Sequence, residues 1–192
     1  MKLDRARLTP AEIAFIETVD SLRDKLDAMT MEQYARVNPL MENLCDWRER
    51  GERFGGKGVV IHDSSVIMGE VVLGEHCWVG PGCLLDGSGG LKVGRRCTFS
   101  AGVHVYTHDT VRHTLSDGAE PYEYGPVSIG DCTFIGAQSV ILKGVTIGAH
   151  CLIGANSTIT HDLPAYSIAA GTPTRVIGKV NTQTTPLTLE FF

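Results

Sequence analysis

An apolar residue returns every six positions along most of this sequence of 192 residues. Glycine follows that residue in seven of the units, and the fifth position is usually small. A period of six fits neither the helix period of about 3.6 nor the simple alternation of a strand. It predicts short strands joined by tight turns, in which the first residue of each six points inward and glycine permits the bend. The first positions are Ile61, Ile67, Leu73, Val79, Leu85, Val93, Phe99, Val105, Ile129, Ile135, Ile141, Ile147, Ile153 and Ile159.

The repeat is interrupted twice. Two extra residues, Leu91 and Lys92, lengthen one unit, and residues 106–126 then leave the repeat until it resumes at Ile129. Functional groups concentrate on loops that a rigid scaffold holds. The longer excursion is therefore predicted to carry the functional site, because titratable side chains crowd into it. These side chains are His108, Asp109, His113, Asp117, Glu120 and Glu123.

Composition excludes several classes of protein. A hydrophobic content of 43% is enough for a core, and the formal net charge of −5 argues against nucleic-acid binding, for which a basic chain is expected. No apolar run approaches the roughly 20 residues that a membrane span needs. The first residues lack the apolar core of a signal peptide. We therefore expect a soluble, cytoplasmic protein with no membrane span.

Four of the six cysteines occupy the small fifth position, where a thiol packs as a small hydrophobe. They are Cys77, Cys83, Cys97 and Cys151. The sequence contains no CxxC pair, so zinc and redox motifs are weakly supported. We expect the cysteines to pack in the core, and no metal to be bound.

Residues 9–51 have helical character, with apolar residues at the spacing of one helix face. A second helix is predicted to start at Asn38–Pro39, since proline is favoured at the first helical position, and to end at Gly51. Its apolar face would be formed by Leu40, Leu44 and Trp47.

The chain from Cys83 to Val180 resembles a known family through an ordered set of motifs. These are "CLLDG", "GVHVYTHD", "GAEPYEYGPVSIGDCTFIGA", "GVTIGAHCLIGANSTITHDLP" and "AAGTPTRVIGKV". They are similar to the maltose, galactoside and nodulation-factor group of sugar O-acetyltransferases. The resemblance implies a left-handed parallel β-helix of 18-residue triangular coils, stacked at about 4.8 Å. It also implies acetyl-CoA as acyl donor, a saccharide acceptor, and a homotrimer with active sites between subunits.

We accordingly divide the chain into three parts. An N-terminal helical segment spans 1–57, the β-helix spans 58–180 with its catalytic excursion at 106–126, and a C-terminal tail spans 181–192.

The resemblance assigns the general base to His108. Histidine suits that role because its ordinary pKa of about 6.5 leaves it mostly neutral at cellular pH. The loop is about one residue shorter than is usual in the family, and Asp109 stands where proline is common. His104, which ends a regular six, and His113, deeper in the excursion, are the rival bases.

The family pattern also implies binding residues. For the acceptor they are Asp86 and Glu123, with Glu120 as a rival to Glu123. In the family an asparagine one coil before Asp86 normally accompanies it, and here Trp78 is the residue nearest to that place in the register. Lys143 could serve the donor or could be a solvated corner residue. For the donor, the resemblance implies Ala137 beside the thioester, Ala155, Thr160 and His161 along the pantetheine arm, and Arg175 and Lys179 at the phosphates.

Other functions stay open from sequence. The chain could be an N-acetyltransferase for an amino sugar nucleotide, or an antibiotic acetyltransferase, because the base chemistry is nearly the same. A γ-carbonic-anhydrase-like metalloenzyme would need three converging histidines. A noncatalytic β-helix scaffold would leave the histidine-rich excursion and "GTPTRV" without a purpose.

Overall fold

The computed structural model describes residues 7–35 and 37–192, and the first six residues of the predicted N-terminal segment lie outside it. The chain divides into two compact units after Asp46. In the first unit, helix α1 spans Pro10–Tyr34 and helix α2 spans Leu40–Leu44. A capping box starts α1: the Thr9 hydroxyl accepts from the Glu12 N–H, and the Glu12 carboxylate accepts from the Thr9 N–H.

The expected continuous second helix is wrong. Helix α2 ends at Leu44, and helix α3 starts anew at Trp47 and spans Trp47–Glu52 in the second unit. The break occurs because Cys45 has extended backbone angles, φ −98° and ψ 130°. The predicted apolar face of Leu40, Leu44 and Trp47 therefore does not exist on one helix.

The second unit is a parallel β-helix built mostly from two-residue strands. Their bounds are β1 Val60–Ile61, β2 Val66–Leu73, β3 Trp78–Val79, β4 Leu84–Val93, β5 Thr98–Phe99, β6 His104–Val105, β7 His108–Asp109, β8 Glu123–Tyr124, β9 Val127–Ile129, β10 Phe134–Ile135, β11 Val140–Ile141, β12 Thr146–Ile147, β13 Leu152–Ile153, β14 Thr158–Ile159, β15 Ser167–Ala170, β16 Arg175–Asn181 and β17 Thr188–Phe191. A short helix, α4, spans Val111–Leu115 within the excursion.

The strands stack into three faces. Face 1 contains β1, β3, β5, β10, β13 and β15. Face 2 contains the first halves of β2 and β4, followed by β6, β11 and β14. Face 3 contains the second halves of β2 and β4, followed by β9 and β12. Along the chain, each coil passes from face 1 to face 2 at one corner and from face 2 to face 3 at the next.

The strand register matches the predicted coil. Ile135 pairs with Ile153 and Ile141 pairs with Ile159, so one coil takes 18 residues in the regular region. Leu85 pairs with Val105, a coil that the insertion of Leu91 and Lys92 lengthens. Val93 pairs with Ile129, so these two strands are neighbours although the excursion lies between them in the chain.

The inward pattern is confirmed. Of the fourteen first positions, all are buried except Ile67, which is partly buried and packs against the core. The four cysteines at fifth positions are buried, and none of the six cysteines, all of which lie in the described ranges, forms a disulfide. Burial raises the pKa of the Cys83 and Cys151 thiols, so they stay neutral and act as packing groups.

Residues 181–192, which we predicted to be a C-terminal tail, contain strand β17. Strand β16 pairs antiparallel with β15, and β17 pairs antiparallel with β16, so the end of the chain extends the sheet of face 1. Within the described residues, no helix is both long and apolar enough to span a membrane.

Candidate active site

The excursion leaves the β-helix after β6 and returns at β9, at the corner between faces 2 and 3. Inside it, β7 and β8 form a two-stranded antiparallel hairpin, in which His108 faces Tyr124 and Asp109 faces Glu123. The helix α4 lies between these strands in the chain. The hairpin therefore presents His108 directly beside the regular coils.

The coil beneath the excursion is shaped to receive it. Asp86 follows inward Leu85, at the second position where seven other units have glycine. At Gly89 a Cβ atom would lie 2.4 Å from the carbonyl oxygen of Thr107, so only glycine allows this close approach. The N–H of Gly89 donates to the Thr107 hydroxyl at 2.7 Å.

Asp86 is fully buried and lies under the histidine. Its Oδ2 is 2.7 Å from Nδ1 of His108 and accepts from the Thr107 N–H at 2.9 Å, while Oδ1 accepts from the Ser88 N–H at 2.8 Å. Burial raises the pKa of Asp86, but the hydrogen bonds from Ser88, Thr107 and His108 together outweigh it and hold the pKa well below its ordinary value. The carboxylate is therefore ionised at neutral pH.

This contact selects one form of the neutral imidazole. An ionised carboxylate can only accept hydrogen bonds, so Nδ1 of His108 carries the hydrogen. Nε2 is then a proton acceptor. The His108 side chain is 27% exposed and stacks on the ring of Tyr124, with centroids 5.8 Å apart. The arrangement is that of a base whose orientation is fixed by a buried anion.

A cavity of about 550 Å³ opens beside His108. This volume falls in the range usual for small-molecule sites. Its lining combines apolar surface with hydroxyl and charged groups, which suits a polar molecule of moderate size. The lining residues are Tyr106, His108, Asp109, Thr110, Val111, Leu142, Lys143 and Thr160.

Charged contacts join the hairpin to the scaffold. Nζ of Lys143 lies 2.7 Å from Glu123 Oε2 and 3.2 Å from Asp109 Oδ2, and Nε of Arg112 lies 2.9 Å from Glu123 Oε1. The N–H of Val111, with Lys143 and His108 as lesser causes, lowers the pKa of Asp109. The bond to Glu123 raises the pKa of Lys143. Of the two interpretations made for Lys143, a solvated corner residue does not fit these contacts.

The rival histidines have other partners. His104 points outward on face 2, and its Nδ1 lies 3.2 Å from the Tyr106 hydroxyl. His113 is in α4, where Nδ1 lies 2.8 Å from the backbone oxygen of Glu120. His108 is thus the histidine that a buried carboxylate orients.

The predicted acceptor residues do not line the cavity. Asp86 lies beneath His108, with no exposed surface, and Glu123 is paired with Lys143 and Arg112 on the hairpin. The rival Glu120 is exposed and lies 3.2 Å from Arg112. The Asp86 carboxylate contacts His108, and Glu120 and Glu123 lie on the excursion that carries His108.

The predicted donor residues fall at separate places. Thr160, which lines the cavity, and His161 follow β14 at the corner between faces 2 and 3. Ala137 and Ala155 lie one coil apart at the corner between faces 1 and 2. Arg175 and Lys179, both exposed, lie on β16.

Tyr106 and Leu142 line the cavity but were not predicted from the sequence, although a signal for them exists. Like the predicted Thr160, they take the second position of a six on face 2, a position that is mostly glycine on faces 1 and 3. Larger or polar residues at the second position of the face 2 units thus mark the corner between faces 2 and 3, where the cavity lies. In the described part of the chain, no three His, Cys, Asp or Glu side chains are grouped to hold a metal ion.

Two family models match the repeat. "Bacterial transferase hexapeptide (six repeats)" matches residues 126–161, and "Hexapeptide repeat of succinyl-transferase" matches residues 70–107. The matched segments flank the excursion.

Relatives cover more of the chain. Galactoside O-acetyltransferase from Escherichia coli is 30% identical over 186 residues, which span 80% of this chain and 91% of that protein. A solved structure of the N-acyltransferase AntD from Bacillus cereus, with dTDP and 3-hydroxybutyryl-CoA, is 26% identical, with a TM-score of 0.58, over 64% of this chain and 70% of that one. A hexapeptide-repeat acetyltransferase from Vibrio cholerae, with acetyl-coenzyme A, has the same fold at a TM-score of 0.62 and 21% identity, over 93% of this chain and 92% of that one.

Proposed function

Because the chain belongs to the hexapeptide-repeat acetyltransferase family, we propose that it transfers an acetyl group from acetyl-CoA to a saccharide hydroxyl, with His108 as general base. The observation that carries the proposal is the bond between buried Asp86 and His108 at the edge of a cavity. The acceptor preference is supported by the similarity to galactoside O-acetyltransferase. Similarity to AntD, solved with an acyl-CoA, supports the donor.

In this reaction Nε2 of His108 accepts the proton of the acceptor hydroxyl as its oxygen attacks the thioester carbonyl. The C–O bond forms, the C–S bond breaks, and the proton on Nε2 passes to the departing thiolate. Asp86 is then a positioning residue, because its ionised carboxylate holds the imidazole and stabilises its charged form. This role replaces the direct acceptor contact expected from sequence.

We also propose Glu123 as an acceptor-side residue, because it lies on the hairpin that borders the cavity. For the donor, Thr160 and His161 lie on the cavity side, and Ala137 and Ala155 offer small residues along a second corner. Arg175 and Lys179 are exposed cations available to phosphates.

We further propose that the active enzyme is a homotrimer. The His108 cavity and the Ala137–Ala155 corner lie at opposite edges of face 2 within one chain. A donor that uses both sets of residues requires one set from a neighbouring copy, and closed threefold symmetry supplies it at every site.

One specific observation favours a second candidate, the acylation of an amino sugar nucleotide. AntD, an N-acyltransferase solved with dTDP, is 26% identical to this chain. The same base would accept a proton from an amine instead of a hydroxyl.

The test is a thiol-release assay with acetyl-CoA and a panel of galactosides, maltose, amino sugars and nucleotide amino sugars. Product mass spectrometry then identifies the acetylated atom. Acetyl esters of saccharides would support the proposal, amides of amino sugar nucleotides would support the second candidate, and no acetyl transfer to any acceptor would refute both.

A further inference from the structure

Lys143 lies where the excursion meets the next coil. It takes the third position of the six that begins at Ile141, and its side chain is only 26% exposed. The N–H of the adjacent Gly144 donates to the Gly125 carbonyl at 3.1 Å. Side chain and backbone therefore contact the excursion at one point of the scaffold.

The hairpin that Lys143 contacts is unstable by its own composition. Each strand has two residues, and an isolated pair of strands is marginal in water even when longer. Asp109 and Glu123 are directly opposite each other, and like charges in that arrangement destabilise a strand pair. The hairpin therefore needs a cation between its two carboxylates.

Lys143 supplies that cation. Its Nζ contacts both Asp109 and Glu123, at 3.2 Å and 2.7 Å. Arg112 reaches only Glu123 of this pair, and its own side chain is 63% exposed on the excursion itself. Lys143 is thus the ammonium that ties both strands of the hairpin to the β-helix.

We propose that Lys143 is a positioning residue of the active site, which holds Asp109 and Glu123 together and thereby keeps His108 above Asp86. It acts through the hairpin and not by contact with acceptor or donor. The turnover measurements below rest on the proposed function, while the exchange measurement does not.

The first test compares Lys143→Met with Lys143→Arg. We expect Lys143→Met to lose roughly 10- to 100-fold in kcat, since small misplacements of a catalytic group have costs of this size. The KM for acetyl-CoA should change little, and Lys143→Arg should retain most of the turnover. Lys57→Met, which removes an exposed lysine outside the site, is the matched control for loss of a positive charge.

A charge-balanced variant separates positioning from binding. Adding Asp109→Asn to Lys143→Met removes the repulsion that the lysine had offset and leaves Glu123 unchanged, so turnover should rise about tenfold or more above the single variant. If Lys143 binds a phosphate or the acceptor directly, the double variant will stay as impaired as Lys143→Met and the KM for that ligand will increase. That result overturns the proposal.

Hydrogen exchange tests the hairpin without any assay of activity. The Gly125 N–H donates to the Thr107 carbonyl at 2.8 Å and reports whether the excursion is closed. In Lys143→Met its exchange should accelerate, while the Leu152 and Ile153 amides of β13 should keep their rates. Unchanged exchange at Gly125 would refute the positioning role. Faster exchange in a protein that acetylates no acceptor would refute the proposed function and leave the role of Lys143 intact.

Discussion

At the scale of single residues, Asp86 holds the imidazole of His108 in one orientation. It sits in a glycine position of the repeat, has no exposed surface, and receives hydrogen bonds from the two backbone N–H groups of Ser88 and Thr107 as well as from His108. An anion this well solvated by the protein stays ionised without bulk water. The imidazole of His108 that it orients can therefore stand at the edge of a cavity.

Replacing His108 tests the proposed base. His108→Ala should lower turnover by roughly 10²–10⁴, the usual contribution of general-base catalysis. His104→Ala and His113→Ala should cost much less, because neither imidazole contacts the buried carboxylate. Turnover with acetyl-CoA and melting temperature should be measured for all three. A normally folded His108→Ala that keeps most of its activity would refute the assignment.

Asp86→Asn should change both catalysis and acid stability. Because the folded pKa of Asp86 lies below its unfolded value of about 3.9, its stabilisation is complete above about pH 5 and is lost progressively as the pH falls towards the folded pKa. The unfolding free energy of the wild type should therefore fall more steeply than that of Asp86→Asn between about pH 5 and pH 3. Denaturant titrations across this range measure it. Parallel pH curves would contradict the buried-anion interpretation.

At the scale of elements, the coils and the excursion follow different rules. The coils repeat one short-range pattern, so the inward positions and the cysteine packing follow from spacing, while the family resemblance implied the 18-residue register. The excursion depends on contacts far apart in sequence, such as Asp86 with His108 and Lys143 with Glu123. Spacing does not encode such pairs, so sequence indicated His108 but not the position of Asp86 beneath it.

The break between α2 and α3 and the strand β17 were missed for a related reason. Apolar spacing around Leu44 and Trp47 suits a helix, but the backbone at Cys45 is extended. β17 has no hexapeptide period, because it pairs antiparallel at the end of the β-helix. Local patterns did not specify either outcome.

Gly89→Ala tests the fit between the coil and the excursion. Its Cβ would meet the Thr107 carbonyl, so the excursion must shift, at a cost of about 1–3 kcal/mol of stability and with lower turnover. Gly82→Ala is the control, since φ is +66° there but a Cβ meets nothing within 4 Å. It should cost only about 1 kcal/mol and spare turnover. Equal turnover in the two variants would show that the Gly89 contact does not position the excursion.

At the scale of the whole molecule, the proposed trimer would explain why the proposed donor residues and the proposed base lie at two corners of one chain. Each face of the β-helix is a flat surface of short strands, and Val66 and Val72 remain exposed on faces 2 and 3. Contacts between copies would cover such side chains and would complete the site.

Mixing two inactive variants tests sites shared between copies. His108→Ala impairs the base, and Ala137→Trp is designed to block the other corner. If each site draws these residues from different subunits, random co-assembly should restore up to about a quarter of wild-type activity per site. Light scattering should give the mass of a trimer. A monomer that is active at every concentration would refute the assembly.

Calorimetry should separate the coenzyme-binding role of Arg175 from the catalytic role proposed for His108. Arg175→Ala should weaken coenzyme A binding in calorimetry by removing a cation available to a phosphate, whereas His108→Ala should leave binding nearly intact. Lys179→Ala, on the same strand, should have a smaller effect. The reverse pattern, with binding lost only in His108→Ala, would exchange the two roles.

The strand ladder closes behind the excursion as if residues 106–126 were absent, since Leu91 pairs with Val127 and Val93 with Ile129. The excursion is thus a cassette carried by a scaffold whose continuity does not depend on it. Exchanging the cassette between related chains should transplant acceptor preference while the donor path stays fixed. A version with a three-residue segment like Leu142–Gly144 in its place should still fold, and would be a β-helix that holds an acyl donor but recognises no acceptor.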